Sequence, residues 1–118
     1  MFNKARTQIE AGEVHNTFST STQIEGNIVT KDDMRFDGSI KGDITSEKKI
    51  VVGEQATIEG NIRCANLDLL GQITGDVYCE ETIVLRAHSN LKGNVITHSL
   101  EIEPGAVFDG SCQMKSKQ

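Results

Sequence analysis

The chain has 118 residues, a formal net charge of −5 and only 4% aromatic residues. So acidic and aromatic-poor a composition excludes a nucleic-acid binder, which needs basic patches for phosphates and stacking platforms for bases. No run approaches the roughly 20 apolar residues of a membrane span, and no secretory leader opens the chain, so the expected location is the cytoplasm.

Residues 1–14 are polar and read as a flexible tail, with a possible membrane contact taken up below. From residue 15 to 114 one pattern repeats six times, and residues 115–118 form a short second tail. The first copy has Phe18 with Thr20, then the unit Ile24-Glu25-Gly26-Asn27-Ile28, then Ile28 with Thr30. The second has Met34 with Phe36, IKGDI over Ile40–Ile44, and Ile44 with Ser46. The third has Ile50 with Val52, IEGNI over Ile58–Ile62, and Ile62 with Cys64. The fourth has Leu67 with Leu69, ITGDV over Ile73–Val77, and Val77 with Cys79. The fifth has Ile83 with Leu85, LKGNV over Leu91–Val95, and Val95 with Thr97. The sixth has Leu100 with Ile102, FDGSC over Phe108–Cys112, and Cys112 with Met114. The central glycines lie 16, 18, 15, 18 and 17 residues apart.

Residues at i and i+2 of a strand share a face, so each pair presents two side chains inward. In the Gly unit the flanking apolar residues are four apart, which turns the Gly inward as well, where a missing side chain suits a corner or a close backbone approach. Three short strands per turn and six turns make an all-β triangular solenoid with parallel strands. Rungs stacked at about 4.8 Å give a rod of about 29 Å. One rung cannot bury its apolar face alone; stacking buries it.

Outside the rod, the residues before the glycines set Glu25 beside Lys41, Lys41 beside Glu59 and Lys92 beside Asp109 on neighbouring rungs. The residues after them (Asn27, Asp43, Asn61, Asp76, Asn94, Ser111) read as turn residues that tolerate unusual backbone angles, rather than as a calcium ladder. His15, His88 and His98 fall at different corners, which excludes a tetrahedral zinc site within the chain. Cys64 and Cys79 share an inward column on adjacent rungs, and with Cys112 they read as reduced, small, buried packing residues. No pair of carboxylates sits as general acid–base chemistry requires. The expectation is no enzyme, no cofactor and no metal.

Strand edges at the two ends invite pairing with another chain. No capping helix is expected. The first rung offers Phe18, Ile24 and Ile28, and the last offers Leu100, Ile102, Phe108 and Met114. A rod with two apolar ends stacks end to end into a filament. Two alternatives compete. One is a non-polymerising solenoid binding module whose terminal phenylalanines act as plugs. The other is a hexapeptide-repeat enzyme, although that six-residue frame breaks here within a single turn.

Over residues 15–114 this Gly-punctuated repeat, with its short polar tails, resembles the bactofilin family. The resemblance implies a single-stranded right-handed parallel β-helix that polymerises without nucleotide into non-polar filaments. It also implies association with the inner face of the cytoplasmic membrane and with cell-shape or cell-wall machinery. The absence of any P-loop agrees on nucleotide. Family members open with Met-Phe and a nearby Lys, which here matches Met1, Phe2, Lys4 and Arg6 as membrane-contact residues. The Pro-rich tails of the family are missing.

Overall fold

The computed structural model describes residues 15–116. It contains fifteen strands and, among the described residues, no helix. In chain order these are β1 (His15–Phe18), β2 (Gln23–Glu25), β3 (Ile28–Thr30), β4 (Asp33–Phe36) and β5 (Ser39–Lys41). Then come β6 (Ile44–Ser46), β7 (Lys49–Val52), β8 (Thr57–Glu59), β9 (Ile62–Leu69) and β10 (Gln72–Thr74). The last are β11 (Val77–Leu85), β12 (Asn90–Lys92), β13 (Val95–Ile102), β14 (Val107–Asp109) and β15 (Cys112–Met114). All pairings are parallel, and each strand pairs with its counterpart about one turn later. The result is a β-solenoid of six rungs with three faces.

The first face stacks β1, β4, β7 and the second halves of β9, β11 and β13. The second stacks β2, β5, β8, β10, β12 and β14. The third stacks β3, β6, the first halves of β9, β11 and β13, and β15. Separate third and first strands persist only in the early rungs. From β9 onward the chain runs through that corner as one long strand, and the register shifts between Cys79 and Thr82. The bulge absorbs the corner without breaking the ladder.

The core is a set of columns. Ile50, Leu67 and Ile83 stack on one line, and Val52, Leu69 and Leu85 on the next; all are buried. Each such side chain contributes about 1.5–3 kcal/mol by leaving water. β-Branched and aliphatic residues suit these strands because their stiff side chains stack on a pleated surface.

The first rung departs from the expected register. Phe18 lies opposite Phe36, and Asn16, not Phe18, lies opposite Met34. Two contacts select this arrangement. The Phe18 and Phe36 rings stack with centroids 5.5 Å apart, and the Asn16 amide donates to Thr30 Oγ1 at 3.0 Å. Thr20 falls in a turn and is exposed.

The glycines of the repeat differ from expectation in direction, and agree with it in the close backbone approach. Their φ values lie between +133° and +153°, a region that L side chains rarely adopt. A Cβ on Gly75 would point along the rod axis, 1.9 Å from the carbonyl oxygen of Gly60. The missing side chain therefore lets successive rungs close, and the apolar residues on either side fill the interior.

Candidate functional site

The ends of the rod are strand edges. β1, β2 and β3 have neighbours on one side only, as do β14, β15 and the Ser99–Ile102 part of β13. At the first end Phe18, Ile24 and Ile28 are half-buried and packed against the core. At the last end Leu100 and Phe108 are half-buried, while Ile102 and Met114 are 51% and 55% exposed. The sequence-derived end residues thus fall into two groups on opposite ends, each with apolar surface open along the axis. Val107, outward on the last rung and 50% exposed, was not among them. Its alternation with Phe108 marked it as a surface position.

The Asn/Asp column does more than turn the chain. Asn27 Oδ1 accepts the Asp43 N–H at 3.0 Å, Asp43 Oδ1 that of Asn61 at 2.9 Å, Asn61 Oδ1 that of Asp76 at 3.1 Å, and Asp76 Oδ1 that of Asn94 at 3.0 Å. Each side chain caps the next rung, and the positive φ belongs to the neighbouring Gly. Ser111 closes the series, since its hydroxyl donates back to Asn94 Oδ1 at 2.8 Å.

The small third column is likewise a set of donors to corner carbonyls. Ser46 Oγ donates to the Asp32 carbonyl, Cys79 Sγ to that of Ala65 and Thr97 Oγ1 to that of Glu81. Apolar packing alone does not account for the cysteines. Cys64 and Cys79 are in register and buried. The neighbouring Cys79 sulfur and burial push the Cys64 thiol well above its usual range, so it stays protonated and unreactive.

On the first face an ion-pair staircase climbs four rungs. Lys49 Nζ lies 3.6 Å from Asp68 Oδ2. Arg86 grips Asp68 through two bonds of 2.6 and 3.1 Å, and its third arm meets Glu103 Oε2 at 2.9 Å. Glu103 Oε1 also accepts the Ala87 N–H. Burial raises the Asp68 carboxyl, but the Arg86 hydrogen bond and the charges of Arg86 and Lys49 outweigh it, and the net shift is downward. Glu103 is lowered chiefly by its Arg86 hydrogen bond. Sequence reasoning missed this staircase. Its signal is alternating sign at spacings of about one turn. The neighbours expected beside the glycines are in register, Glu25 with Lys41 and Lys92 with Asp109, yet no ion pair closes between them among the described residues.

The third face carries a groove of about 560 Å³ bounded by the Asn/Asp column. Arg63 lies 4.2 Å over the Tyr78 ring and Lys115 lies 5.2 Å from its centre. Lys115 also bonds Glu80 at 2.8 Å. Of the histidines, His15 is in β1, His88 sits in a turn at φ +70°, and His98 donates from Nδ1 to the Lys115 carbonyl at 3.2 Å. No group of three or more His, Cys, Asp or Glu converges among the described residues. Met1, Phe2, Lys4 and Arg6 lie outside the described residues.

The six-rung solenoid as a whole matches a known family. The model of bactofilins, described as polymer-forming cytoskeletal, matches residues 16–113. The chain belongs to the bactofilin family. This bactofilin is similar to the Thermus thermophilus bactofilin solved by cryo-EM in double helical filaments. The identity is 25% and the TM-score 0.81, over 85% of this chain and 99% of that one. It is also similar to the cytoskeletal bactofilin BacA solved by solid-state NMR. There the identity is 25% and the TM-score 0.78, over 88% of this chain and 99% of that one. No curated protein sequence matches this bactofilin.

Proposed function

We propose that this bactofilin is a non-catalytic, nucleotide-independent cytoskeletal scaffold whose rods join end to end into filaments. The observation that carries this reading is the pair of exposed strand edges with Phe18, Ile24 and Ile28 at one end and Leu100, Ile102, Phe108 and Met114 at the other. Like ends meet. A head-to-tail continuation of the column that holds Glu25, Lys41, Lys92 and Asp109 would set Asp109 over Glu25, and like charges would oppose.

The N-terminal Met1, Phe2, Lys4 and Arg6 hold the filament at the inner face of the cytoplasmic membrane. Each tail binds weakly and the polymer multiplies it. The array then presents clients of cell-shape or cell-wall machinery with a repeating surface. Negative-stain electron microscopy without nucleotide or metal tests the core of the proposal. Wild type forms filaments and Phe108→Arg, which buries an unpaired charge in the junction, forms none. Normal filaments from the variant refute the assigned end.

A further inference from the structure

The third face is self-complementary about a point between its second and third rungs. A two-fold axis that lies in a face-to-face contact, perpendicular to the rod, maps rung one onto rung four and rung two onto rung three. It leaves each column opposite its own copy. In the corner column this sets Asn27 against Asp76 of a second copy, and Asp43 against Asn61. An amide then meets a carboxylate at all four contacts, with the cap oxygens still engaged along the ladder. In the central column Val29, 78% exposed, meets Tyr78. In the edge column Lys31 meets Glu80, one residue past the paired Thr30 and Cys79. The contacts of rung one with rung four therefore match in three neighbouring columns, and those of rung two with rung three match in the corner column.

Of the charges involved, Glu80 bonds Lys115 through one oxygen, Oε1, and the other three, Lys31, Asp43 and Asp76, close no ion pair among the described residues. The first face closes its own charges through Lys49, Asp68, Arg86 and Glu103. On this basis we propose that the third face is the side-to-side interface of this bactofilin. It binds the same face of a second copy running antiparallel, and so pairs two filaments. The inference rests on the end-to-end reading above; the Thermus thermophilus relative was itself solved in double helical filaments.

The pairs are individually weak, and a filament repeats them along its length, so loss of one contact per subunit is amplified. Asn27→Asp is isosteric, keeps the oxygen that caps Asp43, and sets acid against acid at Asp76 of the second copy. Electron microscopy is expected to show paired filaments for wild type. It should show single filaments of unchanged length for Asn27→Asp and for Val29→Glu, with a roughly tenfold fall in the paired fraction. The double variant N27D/D76N restores amide against carboxylate and should restore pairing. Wild-type filaments that are only single, or Asn27→Asp filaments paired like wild type, overturn the interface. Absence of filaments from wild type overturns the end-to-end reading instead. Sedimentation then decides the face: a dimer dissociated by Asn27→Asp supports it, and a monomer overturns it.

Discussion

The stacked glycines permit a sharp test, because their positions separate two costs that usually come together. Gly75→Ala places a Cβ at φ +145° and only 1.9 Å from the Gly60 carbonyl oxygen, where ordinary contacts begin at 3.4 Å. The backbone strain costs about 1–3 kcal/mol, and forcing two rungs apart adds about 1–3 kcal/mol more. Gly26 has φ +133° but nothing within 4 Å of its built Cβ, so Gly26→Ala pays the strain alone. Gly110, on the opposite terminal rung, would meet the Gly93 oxygen at 1.8 Å; it controls for fraying at an end. Urea unfolding in the Phe108→Arg background, where ends do not join, reads the difference. With slopes of about 1–3 kcal/mol/M, the midpoints of Gly75→Ala and Gly110→Ala should fall about 1 M below that of Gly26→Ala. Three equal midpoints would refute the claim that the glycines exist to let rungs close.

Two further outcomes follow from the first face and the tail. Asp68 and Glu103 titrate below their ordinary values of 3.8 and 4.5. A carboxyl lowered in the native state contributes stability above its unfolded value and loses it as pH falls through the native one. Asp68→Asn should therefore cost about 0.5–1 kcal/mol near neutral pH, and its unfolding curve should approach that of wild type only as pH falls below 3.8; a constant gap across pH would count against the staircase. Phe2→Ala should weaken sedimentation with anionic vesicles while leaving filaments intact, and equal binding by both forms would remove the tail from the mechanism.

The interior was legible in the sequence because burial imposes a period. The Ile, Leu and Val columns from rung two onward have the expected partners. The first rung misled because Phe18 lies sixteen residues before Met34, a spacing the repeat itself uses. Only the contact of two rings and the Asn16–Thr30 bond select the other register. The exterior was less legible, since solvent imposes no period. Arg86 and Glu103 share a position in their rungs, but Asp68 lies two positions earlier in its own, so no single column announces the series. The Asn/Asp column was visible, but composition could not tell a turn former from a cap on the following rung.

One feature of the ladders reaches beyond stability. The backbone bonds that join successive rungs run along the rod on all three faces, from Gly26 N to Lys41 O and from Ile28 N to Asp43 O among many others. When such a rod is pulled at its ends, the load falls on three strands of each rung together. The chain connecting the rungs winds around the axis as a continuous thread. Tension applied across the two end faces is therefore shared, and the molecule acts as a tie rod.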